Sequence, residues 1–228
     1  RATLESIAAL GYSEFEFAGY FGLAPKEIRK ILDDLDAIAP SAHLGADAFV
    51  KDFAKALDDA SILGHRYLVV AWLAEEFRQT ADDYRQWAEV LNRAGEAARK
   101  AGIRMAYHNH EFEFETLYGE VPQRILMAET DPDLVDFELD FFWVRKAGLD
   151  IAEVLAWAPE RFRLAHIKDM DAEGNITDVG SDTIDFATLL NSEHGRNIEH
   201  PFVEHDHAPD AFRTAAVGRW NLSQALAG

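Results

Sequence analysis

Eight residues near the middle of the chain, Tyr107-His108-Asn109-His110-Glu111-Phe112-Glu113-Phe114, hold two imidazoles, an amide and two carboxylates. Imidazole nitrogen and carboxylate oxygen together make the donor set of a divalent transition metal. Three more residues of that type follow at intervals: Asp140, His166 and Glu204. Each of the four positions ends an apolar run, at 103–106 before His108, 134–139 before Asp140, 162–165 before His166 and 202–203 before Glu204. In α/β proteins the C-terminal ends of parallel strands open onto the functional face. Two histidines and two carboxylates on four such ends would leave an open site with room for substrate oxygens.

Each residue also has a plainer use. His110 could cap a loop or bond a backbone carbonyl. Asp140 could be the N-cap of the segment that follows. The alternation through Ala165-His166-Ile167-Lys168-Asp169 puts His166 and Lys168 on one face, where Lys168 could pair with Asp169 or Glu204. Glu204 could be a solvated loop acid. His205 and His207 read as loop residues, and His65, His194 and His200 as surface histidines. Trp72 and Trp143 sit just past strands, where they could wall a sugar pocket by stacking or belong to the core. Residues 179–186 read as a glycine turn into a helix, with Asp182 or Thr183 as N-cap. That turn could also close over the mouth of a site.

The elements that must position these residues alternate between amphipathic helix and short apolar strand. Strands are expected at 14–18, 39–44, 67–72, 103–108, 134–139, 162–167 and 201–204. Helices are expected at 4–9, 25–35, 48–63, 82–101, 122–129 and 151–158, another opening at 186–190, and one within 209–226. Repeated βα units imply a parallel sheet with helical crossovers. No linker or composition break divides the chain, so one domain over 1–228 is expected. The seven strands fit a (β/α)8 TIM barrel whose first strand would lie upstream of Arg1; an open doubly wound sheet fits the pattern as well.

Composition narrows the partners. The chain has 228 residues, 48% of them apolar, and a formal charge of −19. Such a surface repels nucleic acid and anionic membrane, and no Lys/Arg cluster overrides it. A metal cation and a neutral small molecule fit the field, although acidity also serves solubility. No run reaches the ~18 apolar residues of a membrane span. No signal peptide opens the chain, which points to the cytoplasm, and the absence of cysteine excludes disulfides and thiolate metal sites.

The residues then resemble a family: the sugar phosphate isomerase/epimerase group of the xylose isomerase-like barrels. The resemblance rests on Leu10-Gly11-Tyr12, Glu16-Phe17-Ala18-Gly19-Tyr20, Ser41-Ala42-His43 and Tyr107-His108-Asn109-His110 with Glu113-Phe114. It continues through Glu138-Leu139-Asp140 with Trp143, His166-Ile167-Lys168-Asp169, Val179-Gly180 with Thr183-Ile184-Asp185, and Val203-Glu204. It implies a barrel with a divalent metal (Mn, Mg, Co or Zn) held at its C-terminal mouth by Glu, Asp, His and Glu. Asp140, His166 and Glu204 match three of these ligands; the first glutamate falls on His108. In such epimerases the two glutamates also form the acid/base pair, so His108 departs from a symmetrical mechanism. Glu113 and His110 are candidates to replace the missing carboxylate.

The resemblance further implies a first strand just before Leu4, absent from this chain. Its endonuclease relatives bind three metals, but Trp72 and Trp143 stand where those enzymes place ligands. The leading expectation is therefore an isomerase or epimerase of a keto-sugar or related polyol, as a monomer or a homo-oligomer, working through an enediolate. Glu204 would be the base, Lys168 would stabilise the oxyanion or fix a hydroxyl, and His108 would complete the acid/base set. Glu16, His43, Trp72, His110, Glu113 and Trp143 would contact substrate. The alternatives are a lyase or dehydratase acting on a keto-polyol, like an inosose dehydratase, and a degenerate sugar-binding barrel without activity.

Overall fold

The computed structural model describes residues 1–180 and 183–227. Nine strands occur among them: β1 (Glu14–Phe17), β2 (Ile38–Leu44), β3 (Tyr67–Val70), β4 (Arg104–His108), β5 (Val135–Asp140), β6 (Phe162–Ile167), β7 (Asp169–Met170), β8 (Ile176–Thr177) and β9 (His200–Val203). Seven of them form one sheet in chain order, β1-β2-β3-β4-β5-β6-β9, as the apolar runs predict. The registers are parallel, with Ser41 opposite Tyr67, Tyr67 opposite Arg104, Met105 opposite Val135 and Leu164 opposite His200. The remaining two strands, β7 and β8, pair antiparallel as a small hairpin that the sequence reading omits.

Contacts divide the chain into two compact units, one of residues 15–138 and one of residues 1–14 with 139–228. In the first, β3 is buried along its whole length because Tyr67-Leu68-Val69-Val70 has no polar face to show. Helix Ala81–Arg99 covers this layer with Tyr84, Trp87, Leu91 and Ala98. Its start is fixed by a capping box in which Thr80 and Asp83 satisfy each other's backbone amides. In the second unit the buried residues Phe141, Val144, Leu155, Phe162, Leu164 and Ile167 form the core. Burying each such side chain contributes roughly 1.5–3 kcal/mol. Helix Ala211–Leu226 lies close to β9 because Gly218 has no side chain: a Cβ there would meet Val203 Cγ1 at 2.6 Å.

Several expectations need correction. The helix expected over 48–63 is two helices, Ala46–Lys51 and Phe53–Leu63, broken where Asp52 takes φ −151° and ψ 46°. The helix expected over 151–158 ends at Leu155, since Pro159 begins a separate 3-10 turn. Asp185, not Thr183, caps helix Phe186–Asn191; the Thr183 hydroxyl donates to the Met170 carbonyl at 2.8 Å. Asp182 lies outside the described residues. His65 and His200 are not surface residues. Each is about 5% exposed or less, His65 bonded to the Ala39 carbonyl at 2.6 Å and His200 to Glu14 at 2.7 Å. Among the described residues no helix is long and apolar enough to cross a membrane.

Candidate active site

The second unit gathers Asp140, His166 and Glu204. Asp140 ends β5, His166 belongs to β6, and Glu204 follows β9 directly. His166 Nδ1 lies 2.7 Å from Glu204 Oε2 and 3.8 Å from Asp140 Oδ2. Lys168, two residues beyond His166 on the same face, inserts its ammonium among the acids. Its Nζ lies 3.0 Å from Asp140, 2.7 Å from Glu204 and 3.2 Å from Asp206. Lys168 therefore pairs with Glu204 but not with the adjacent Asp169. Asp169 instead accepts backbone amides of Met170, Gly180 and Ile184, tying the following loop to β7.

Asp140 combines two readings made from sequence. Its Oδ1 accepts the Trp143 amide at 3.0 Å and caps helix Phe141–Lys146, while Oδ2 faces Lys168 and His166. That helix is absent from the sequence reading because Phe141-Phe142-Trp143-Val144 resembles more buried strand. Trp143 places its ring 5.6 Å from Lys168 Nζ.

Burial works against charge in this cluster, and the partners decide the outcome. Burial would raise Glu204, but His166 and Lys168 overcome it and hold its carboxyl far below the usual range. Burial would lower Lys168, but Asp140, Glu204 and Asp206 hold it above the ordinary ammonium range. Asp140 is pushed up by burial, with Lys168 and His166 opposing.

The donor set of Asp140, His166 and Glu204 fits a divalent ion. Their ligating atoms all lie within 4.8 Å of one another. Bonds of ~2.0–2.3 Å to a common ion set neighbouring donors roughly 3–4 Å apart. The observed 2.7 and 3.8 Å separations from His166 bracket that spacing.

The unit of residues 15–138 holds a different cluster. His43 Nε2 lies between Glu16 Oε2 at 3.0 Å and Glu138 Oε2 at 2.6 Å. Ser41 donates to Glu16 Oε1 at 2.6 Å. His108 Nδ1 stands 3.3 Å from the same Glu138 oxygen, and its ring lies 5.1 Å from that of His43. Burial would lower His43, but Glu16 and Glu138 raise its pKa to about 10. Glu138 is the functional candidate that sequence reasoning missed. The signal was the alternation Asp136-Phe137-Glu138-Leu139-Asp140, which sets acids at every second strand position. Asp206, the third acid on Lys168, had no such pattern.

Glu113 is wholly buried, accepting the Tyr107 hydroxyl at 2.6 Å and the His110 amide at 2.7 Å. Burial pushes its carboxyl up to about 8. It thus fastens the turn that follows His108 and carries His110. His110 stacks on Phe112 with a 2° interplanar angle, and Arg78 lies 3.7 Å from the centroid of the Phe112 ring. Trp72 is 47% exposed beyond β3.

The sequence profile described as "Xylose isomerase-like TIM barrel" matches residues 4–214. The chain belongs to this family. The fold of this xylose isomerase-like TIM barrel is also that of a sugar phosphate isomerase/epimerase from Parabacteroides distasonis, at TM-score 0.82 and 28% identity, covering 97% of this chain and 86% of the other. A crystal structure of the IolI protein with a bound zinc atom superposes at TM-score 0.79 and 16% identity, covering 99% and 92%. Among curated proteins, inosose dehydratase of Lacticaseibacillus casei is 24% identical over 187 residues, 73% of this chain. This xylose isomerase-like chain spans 62% of that relative's length.

Proposed function

We propose that the protein is a divalent-metal-dependent isomerase or epimerase of a keto-sugar or related polyol, with Glu204 as the base. The observation that carries this reading is the clamp on Glu204, whose Oε2 is 2.7 Å from both His166 Nδ1 and Lys168 Nζ. Asp140, His166 and Glu204 would hold the ion, with His108 as the proposed fourth ligand. The ion would supply electrostatic stabilisation of the negative charge that develops on substrate oxygen.

The residues themselves would do the rest. A carboxylate with so low a proton affinity is a poor base while Lys168 stays bonded to it. As the bond from the α-carbon to its proton breaks, negative charge moves onto the adjoining oxygen. Lys168 would shift its hydrogen bond from Glu204 to that oxygen. Glu204 would then become more basic as the proton reaches Oε2. Delivering that proton to the former carbonyl carbon, while the proton of the adjoining hydroxyl passes to the other oxygen, would give isomerisation; delivering a proton from His108 to the opposite face of the α-carbon, while Glu204 keeps the first, would give epimerisation. Glu16, His43, Trp72, His110, Glu113 and Trp143 are proposed as substrate contacts, directly or by fixing the groups beside them.

A second reading has one specific support, the similarity to inosose dehydratases. There a β-hydroxyl would leave after the same proton removal, with His108 or His110 as the acid. Keto-sugars and a keto-inositol incubated with metal-supplemented protein in deuterated water would test both. Deuterium entering the α-position at constant composition is expected for the leading reading. Loss of water from the keto-inositol would replace it with the lyase.

A further inference from the structure

A lysine ammonium carries three N–H donors, and that of Lys168 meets three carboxylates. Its Nζ lies 2.7 Å from Glu204 Oε2, 3.0 Å from Asp140 Oδ2 and 3.2 Å from each oxygen of Asp206. The side chain is buried, and the Trp143 ring centroid stands 5.6 Å from Nζ. No donor is left over for a substrate oxygen. The chemistry proposed above therefore requires one of these bonds to change partner.

The three acids are not equivalent. Glu204 is the one that Lys168 must release. Asp140 has its Oδ1 on the Trp143 amide, and its Oδ2 faces His166 as well as Lys168, where an ion is proposed. Asp206 is outside the proposed ligand set, and among the described residues its carboxylate makes no hydrogen bond except to Lys168. Its two equal distances centre Nζ between both oxygens. It is 32% exposed, so it approaches the buried ammonium from the solvent side. It also stands two residues beyond Glu204, so one short stretch of chain carries the acid that gives up Lys168 and the acid that keeps it.

We propose that Asp206 is a positioning residue. It tethers the Lys168 ammonium while the N–H bound to Glu204 turns to the oxygen on which charge develops. A two-oxygen anchor lets the ammonium rotate without travelling. Without that anchor the cation is drawn fully onto Glu204 and Asp140, the two acids that the reaction needs free of it. The inference rests on the reading of Glu204 as base and Lys168 as its partner, and Asp206 acts through Lys168 alone.

Two measurements on the full chain test this. The first is proton–nitrogen spectroscopy of the lysine ammonium groups and needs no substrate. An ammonium with every proton bonded exchanges slowly with water, so Lys168 should give a sharp signal that Lys168→Met removes. Asp206→Ala should broaden that signal and Asp206→Glu should restore it. Asp206→Asn, which keeps the shape and loses the charge, serves should the alanine variant not fold. A Lys168 signal absent from the parent, or unchanged without Asp206, overturns the tether. The second is exchange of the α-proton with solvent deuterium, using whichever keto-sugar or keto-inositol the parent exchanges. Asp206→Ala is expected to lower kcat by ~10–100-fold and to leave KM within about twofold. In a Lys168→Met background the same change should have no effect. Parent-rate exchange, a loss that persists without Lys168, or a rise in KM at constant kcat overturns the inference and leaves the proton-transfer reading standing. Parent-rate exchange by Lys168→Met, or no exchange by the parent with any of these compounds, sinks that reading and the inference with it.

Discussion

In the unit built from residues 1–14 and 139–228, the carboxylates of Asp140 and Glu204 face a lysine; in the unit of residues 15–138, those of Glu16 and Glu138 face a histidine. Each arrangement buries one acid outright, Asp140 in the first and Glu138 in the second, but they respond differently to pH. Lys168 is a permanent cation, so Glu204 stays ionised throughout the physiological range. His43 is a cation because the acids beside it make it one, up to about pH 10. Glu113 extends the contrast. Its hydrogen-bond donors are a neutral hydroxyl and an amide, and its carboxyl keeps its proton to about pH 8. Partner charge, more than depth, decides which of these carboxylates is held ionised and which keeps its proton.

Four experiments would break or sharpen that contrast. Glu204→Gln keeps the shape and one oxygen donor of the lysine-held acid but removes its basicity. Exchange of the substrate α-proton with solvent deuterium should slow by ~10²–10⁴-fold. Exchange at the parent rate would move the base to His108, since Glu113 is wholly buried and keeps its proton to about pH 8. His166→Ala removes the nitrogen donor between the two acids, and purified protein should lose its bound divalent ion. Unchanged metal content by elemental analysis would remove the assignment of this cluster.

The histidine-held cluster is tested by stability. The folded pKa of His43, about 10, lies above the ~6.5 of an unfolded histidine. Its contribution is thus fully present below about pH 6.5 and lost as pH rises through about 10. The melting temperature should fall across that window in the parent, and less steeply in His43→Ala. Glu113 also loses stability as pH rises, between its unfolded value and about 8, but does so in both proteins and cancels in the comparison. Equal slopes would mean His43 is neutral. The smallest effect expected is from Arg78→Ala, which removes the cation stacked on Phe112. It should cost ~0.5–1 kcal/mol in denaturant titration. A loss several times larger would show that the hydrogen bond from Arg78 Nε to the Leu73 carbonyl, at 3.0 Å, outweighs the stacking.

Strand positions were legible because buried parallel strands are short, continuous apolar runs; β6 was expected at 162–167 and is found there. Three of the proposed ligands were legible for the same reason, since each stands where such a run stops. What escaped depends on contacts distant in sequence or on local geometry without a compositional mark. Phe141–Lys146 is a helix only because Asp140 turns the chain by capping it. The hairpin of β7 and β8 has too few residues to show a period. His200 looked solitary because its partner, Glu14, lies 186 residues earlier. The His43 cluster stayed hidden because its acids come from strands on either side of it in the chain, with Glu138 disguised inside an apolar run.

The helix cap at Asp140 has a consequence for how a ligand would be met. One carboxylate oxygen is anchored to the Trp143 amide, so the side chain cannot swing while the other faces Lys168. Immobilising a flexible side chain on association costs ~0.5–1.5 kcal/mol. For Asp140 that loss of freedom belongs to folding and is already complete. Glu204 is gripped by side chains, through His166 and Lys168, and Lys168 can change partner. One acid thus has the character of a fixture and the other of a moving part: in the proposed site Asp140 would set where a ligand sits, and Glu204 would keep the freedom to follow a proton.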